Sequence, residues 1–312
     1  MRNRKRTIIA LALLLTVAVP PGVRAALPEA SPSDCDDYPG GRAALRSLAA
    51  GGFEVADAAA RQRLALALAA CLGDPDPAIR DDAAFTGLAT WLRGGGIDEA
   101  TRLALAGLLH GWVEAGEDAD GFRRPFAALA LAEVARADRL SPALPEAVRA
   151  RIAAAAARFL ETTRDFRGYD AGAGWRHAVA HGADLVLQIG MHPATTADET
   201  RRLLAALATR VAPPGVSWIH GEPERLARTV FFLHGRGLLD DAFWDGWFTT
   251  VGSPAPLAGW GEAFRTAEGL ARRHDVLAFL HAVAFAARAN PGPASDRLGA
   301  LAHRELVRVQ GG

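Results

Sequence analysis

Two cysteines, Cys35 and Cys71, are all that 312 residues contain, so at most one disulfide can staple the chain. The apolar run Ile8 to Val19 is interrupted by Thr16 and stopped by Pro20 and Pro21, well short of the roughly 20 residues a spanning helix needs. Sustained alternation of polar and apolar residues is missing, as are hairpin dipeptides between β-branched runs, which excludes a sheet-built fold. The chain has no P-loop, no dinucleotide glycine fingerprint, no GxSxG elbow and no HExxH, so none of these signatures points to a function. Lysine is missing after Lys5, and every later basic residue is arginine.

The start of the chain has the pattern of a cleaved secretory signal. Arg2, Arg4, Lys5 and Arg6 precede the apolar run, and Val23-Arg24-Ala25 offers small residues for cleavage. The expected organisation is a signal peptide over residues 1–25, a proline-, serine- and glycine-rich arm over 26–41, and one helical domain over 42–312. Removing residues 1–25 takes away five basic residues and no acidic one, which turns a balance of 35 against 35 into a net charge of −5. That balance argues against nucleic acid and anionic membrane as partners. The expected location is exported, periplasmic or secreted, with no membrane span in the mature chain. In that oxidising setting Cys35 and Cys71 form either a disulfide or two separate thiols, Cys71 within the helix LALALAACL.

Helix punctuation fills the remainder. Asp76-Pro77 opens a run from about 78 to 93, Asp98 caps one to about 114, and residues 121–136 form a third. Further runs follow at about 145–164, 174–190, 197–211, 222–236, 240–250, 262–289 and 294–308. Short loops between such helices make antiparallel neighbours, and the pairs recur about every 40 residues. The expected fold is all-α, antiparallel hairpins stacked as a HEAT-like or α/α superhelical array, with a closed toroid as the alternative.

One stretch departs from this alanine- and leucine-rich background: GYDAGAGWRHAVAHGADL, residues 168–185. On a helix, His177, His181, Asp184 and Gln188 fall within roughly 60° of arc. The rest of that helix is apolar, so it is expected to be buried with its polar stripe facing an internal cleft. Two histidines one turn apart can aim at one divalent metal ion, with Asp184 or Asp170 as oxygen ligand. The same groups can move protons without metal, a carboxylate orienting an imidazole. Alternatively they form a hydrogen-bonded network between helices. The glycines ahead of the helix suit a sharp turn or a backbone approach to a ligand.

Three further charged helix starts are candidates to line the same edge. Glu222 and Arg225 follow SWIHG, with Arg225 and Arg228 placed to pair with Asp184 or with a substrate. Arg80 and Asp81 follow Pro77, and Arg124, beside Pro125, has a fork that suits a buried carboxylate. Trp175 is the aromatic candidate beside the histidines.

Four segments, DPAIRDDAAFTGLATWL, RPFAALALAEVARAD, YDAGAGWRHAVAHGADLVLQIG and GEPERLARTVFFLHGRGLL, together resemble a bacterial family known as domain of unknown function number two-seven-eight-five. The resemblance runs from about residue 43 to 290. Its most specific part is Asp170, Gly174, Trp175, His177, Ala178, Ala180, His181, Ala183 and Asp184. It implies a helical fold and an export signal and cysteine pair peculiar to this branch; it assigns no activity, cofactor or partner. Arg80, Asp81, Arg124, Glu222 and Arg225 match family positions by type, without a role. Three readings stand: an enzyme acting on a small molecule, by metal-activated water if an ion binds; a non-catalytic helical-repeat module binding a peptide, protein or envelope component; or a structural network.

Overall fold

The computed structural model describes Cys35 and residues 38–311. The expected signal peptide and nearly all of the arm lie outside the described residues.

Among the described residues twelve α-helices follow one another: α1 (Gly41–Ala50), α2 (Ala58–Ala70), α3 (Thr86–Arg93), α4 (Glu99–Glu114), α5 (Arg123–Leu140), α6 (Glu146–Thr162), α7 (Ala178–Gly190), α8 (Ala197–Ala208), α9 (Glu222–Gly235), α10 (Asp241–Val251), α11 (Ala267–Ala289) and α12 (Pro293–Gly311). Their starts are written in the sequence. Asp98 accepts from Thr101 N at 2.7 Å, Asp240 from Phe243 N at 2.9 Å, and Thr196 closes a capping box with Glu199, satisfying donors that the helix cannot satisfy itself.

The helices pack as two layers. In one, α3, α5, α7, α9 and α11 touch in succession; in the other, α2, α4, α6, α8, α10 and α12 do. Chain neighbours such as α4 and α5, α6 and α7, and α11 and α12 join the layers. Among the described residues α1 and α2 make no more than marginal contact with α11 and α12, so the ends of the stack do not close as the toroid requires. Most of the buried apolar side chains form one contiguous cluster from Cys35 to Val309. At its N-terminal end Cys35 and Cys71 form a disulfide with Cα atoms 4.5 Å apart, which ties the arm to the end of α2.

Three local departures from the sequence reading concern the candidate stretch and its surroundings. Residues Ala78–Phe85 form a π-helical segment that runs into α3; such segments concentrate at functional positions. The expected helix from 174 begins only at Ala178, because Tyr169–Asp170 and Gly174–Trp175 pair as a two-stranded antiparallel hairpin, β1 and β2. The expected run from 262 starts as a 3-10 turn, Trp260–Arg265, before α11.

Candidate functional site

The hairpin exists because its turn is stitched by one side chain. Asp170 Oδ1 accepts from Gly172 N and Ala173 N, each at 2.8 Å, and these two donors hold the Asp170 carboxyl below its usual range. Beyond the paired strands, Arg176 N donates to Gly168 O and His177 N to Arg167 O. Gly168 permits a close approach that no other residue would: a Cβ there would lie 2.1 Å from His220 Nδ1. The tip of the turn docks on the π-helical segment, where fully buried Arg80 donates to Ala173 O at 2.8 Å, to Asp81 Oδ2 at 2.9 Å and to Asp74 O at 2.9 Å. Its guanidinium also lies 4.0 Å over Phe122.

The chain leaves the hairpin and enters α7 through His177, whose φ of 54° and ψ of 37° place a non-glycine residue in the left-handed region. That conformation is uncommon for a histidine and is found preferentially where surrounding structure enforces it. His177 is 8% exposed, and its ring stacks under Trp175 at 4.7 Å between centroids. Trp175 is 39% exposed and in turn meets Tyr169 at 5.0 Å and His220 at 6.1 Å.

Beneath this aromatic roof His177 Nε2 lies 3.5 Å from Glu222 Oε1 and makes no hydrogen bond. Glu222 is almost fully buried at the start of α9, and its Oε2 accepts from His220 N at 3.0 Å. Burial, with Arg225 and His220 adding to it, pushes His177 down to about 4. Burial likewise raises Glu222. Both partners therefore shift toward their neutral forms, which disfavours a fixed ion pair.

One turn into α7, His181 sits in solid core. Its Nδ1 donates to Pro125 O at 3.2 Å, its ring meets Phe126 edge-on at 5.1 Å, and burial lowers it well below the usual imidazole range. Asp184 is taken by Arg225, with Arg228 at 3.9 Å, the pairing the sequence suggested. Burial raises Asp184 even so.

Several expectations change. The stripe does not face an internal cleft: His181 is packed against protein, and His177 meets the surface beneath Trp175. Asp184 of the expected metal trio His177, His181 and Asp184 is paired with Arg225 instead. Among the described residues no group of three or more His, Cys, Asp or Glu side chains is placed to hold a metal. Asp170, proposed as a ligand or catalytic group, instead builds the hairpin turn. Gln188 accepts from Arg139 Nε at 3.3 Å, away from His177. Arg124 serves no buried carboxylate; its fork binds Val113 O and Thr162 Oγ1, joining α4, α5 and α6. Arg80 and Asp81 hold the hairpin in place.

Two groups went unrecognised in the sequence. His220 was noted only within the stretch before α9 and given no role, because it precedes its helix and no periodicity marks it. Asp275 is fully buried on α11, where Oδ1 accepts from Trp218 N at 2.8 Å and Oδ2 has no partner. Burial raises it to about 6, and Glu222 is among the charges it feels. A signal was present: Asp275 shares a helix face with Phe279, four residues on, an acid in an apolar stripe.

The fold and site thus define a helical protein whose most irregular backbone converges on a buried histidine and glutamate. Residues 109–285 match the model of a family described as protein of unknown function (DUF2785), and the chain belongs to that family. The match is narrower than the 43–290 expected and leaves Arg80 and Asp81 outside it, while the whole histidine stretch lies inside. No curated protein and no solved structure matches the chain. Among the described residues no helix is long and apolar enough to cross a membrane.

Proposed function

We propose that the chain binds a small polar ligand beside Trp175, His177 and Glu222, and that His177 and Glu222 form a metal-independent proton-transfer pair acting on it. One observation carries the reading: a buried His177 Nε2 without a hydrogen-bond partner stands 3.5 Å from Glu222 Oε1, under a half-exposed tryptophan. A buried polar atom left unpaired is costly and rare in native proteins, and a bound ligand atom would satisfy it. The left-handed His177 and the adjacent π-helical segment add the backbone strain that accompanies functional sites.

A thermal-shift screen of small polar compounds, run on wild type, His177→Asn and Glu222→Gln, tests the proposal. Asparagine tolerates the left-handed conformation. Compounds that raise the wild-type melting temperature should leave both variants unmoved while circular dichroism shows intact folding. Large losses of melting temperature in both variants, with no compound acting on wild type, would return the cluster to a structural network. Zinc belongs in the screen, since a zinc-specific shift would revive the metal reading.

A second reading, a non-catalytic module for a peptide, protein or envelope component, rests on the exposure of Tyr169, Trp175 and Ile219 around the site. We also infer that the two-layer packing is a HEAT-like superhelical array and that residues 42–312 form one domain, on the strength of the successive layer contacts and the single core cluster. Export is inferred from the N-terminal pattern, and the Cys35–Cys71 disulfide supports an oxidising destination.

A further inference from the structure

A cavity of about 300 Å³ lies at the other end of α7, between the ends of α5 and α7 and the beginnings of α6 and α8. That is on the order of ten water volumes. Ile152 and Ile189 give it apolar wall, and Asp138 and His192 its buried polar floor. His192 is 6% exposed, and its Nε2 is buried without a hydrogen-bond partner, 3.4 Å from Asp138 Oδ2.

The neighbours of this pair fix what it can bind. Ala194 N donates to His192 Nδ1 at 3.1 Å, so Nδ1 offers its lone pair and the ring proton of the neutral imidazole sits on Nε2. An Nε2–H cannot ligate a metal and needs an acceptor. Asp138 uses Oδ1 to hold Ala143 N and Leu144 N, each at 2.7 Å, and keeps Oδ2 toward the imidazole. Arg149 Nη1 stands 3.8 Å from Oδ2 and offsets the Asp138 charge, while Glu146 and Glu199 on the cavity wall make an anion a poor fit. An anion seated at Nε2–H would crowd Oδ2, and an ammonium could not accept from Nε2–H. A hydroxyl does both tasks, accepting from Nε2–H and donating to Oδ2.

We propose that this cavity is a binding site for a small, neutral, polyhydroxylated ligand, a polyol or monosaccharide, one hydroxyl of which bridges His192 Nε2 and Asp138 Oδ2 while its carbon skeleton lies against Ile152 and Ile189.

The test uses the full chain labelled with ¹⁵N-histidine, the His192 ring signals being assigned by their loss in His192→Gln. His192 should show the Nε2–H tautomer. D-glucose or glycerol should shift its ring signals saturably, whereas inorganic phosphate, spermidine and zinc should not. Asp138→Asn keeps an oxygen for the two backbone donors but places an amide donor against Nε2–H, and it should weaken polyol binding by at least about tenfold. Ala153→Leu, which fills the cavity without touching the polar pair, should abolish binding with the tautomer unchanged; it serves if Asp138→Asn fails to fold. The Nδ1–H tautomer, a response to phosphate, spermidine or zinc in place of the polyols, or no response to any probe would overturn the proposal.

Discussion

At the N-terminal end of α7, His177 stands 3.5 Å from a Glu222 oxygen; at the C-terminal end, His192 stands 3.4 Å from an Asp138 oxygen. Both imidazoles are buried, both have an Nε2 without a hydrogen bond, and burial lowers both. The surroundings differ. His177 is held in left-handed backbone beneath a tryptophan that reaches the surface, and its carboxyl partner is driven toward the neutral form. His192 follows an ordinary helix end, opens to a cavity, and faces a carboxylate anchored by two backbone donors. A histidine beside a carboxyl thus recurs at both ends, and the proposals above make it a proton-sharing pair with Glu222 at one end and a hydrogen-bonding floor with Asp138 at the other. The neighbours, more than the pair, decide the chemistry.

The largest effect that would sharpen this contrast comes from Arg225, which has no counterpart against Asp138 of the same closeness. Arg225→Ala leaves Asp184, which is largely but not fully buried, with only Arg228 at 3.9 Å. Because Arg225 is itself partly exposed, the cost falls at the low end for breaking a buried pair, about 3 kcal/mol in urea unfolding at neutral pH. Replacing both residues by leucine should recover most of it. A loss within about 0.5 kcal/mol for the single variant would mean that the N-terminal end holds its charges no more tightly than surface does.

Acid comes next. Folded His177 titrates near 4 against an ordinary value of 6.5, so between these values the unfolded chain takes up a proton that the folded chain refuses. Stability is lost as pH falls through this window, by up to about 3 kcal/mol from this group. His177→Asn removes that loss and should gain on wild type as pH falls from 6.5 to 4. Asp275 has the opposite sign. Raised from 3.8 to about 6, it keeps a proton when folded that the unfolded chain has released, so stability is lost as pH rises through the window. Asp275→Asn, which retains an acceptor for Trp218 N, should gain on wild type by about 2 kcal/mol as pH rises from 3.8 to 6. Paired urea melts across pH read both slopes; parallel slopes would contradict the assignment of burial as the cause.

These residues also show what the sequence made legible. The helices were readable from their caps and periodicity, since Asp98, Thr196 and Asp240 act locally. The burial of α7 was readable from its apolar surface, and the Arg225 pairing from matching charge. The hairpin was not, because two-residue strands have no periodicity and Asp170 resembles a ligand as much as a turn former. Neither His220 nor Asp138 could be placed, because each reaches its partner from a distant stretch of the chain: His220 lies 6.1 Å from Trp175 by way of the loop before α9, and Asp138 reaches His192 from α5. The helical stripe misled because helix geometry was extended one turn too far, to a His177 that lies outside the helix.

The smallest expected effect separates the two ends most directly. Arg236 donates to Gly190 O, the last residue of α7, and reaches toward Pro193 O at 3.5 Å, so it caps the negative end of the helix dipole. Arg236→Ala should cost only about 0.5–1 kcal/mol, the usual value of such a contact near the surface. Arg236 is also among the positive charges that lower His192, so its removal should move the His192 titration upward. His177 lies across the 13 residues of α7, roughly 20 Å away by helix rise and about two Debye lengths at physiological salt. Its titration, followed in the same ¹⁵N-histidine spectra, should stay where it is. An equal displacement of both histidines would show that the ends of α7 answer as one site, and the contrast between a proton-sharing pair and a hydrogen-bonding floor would have to be abandoned.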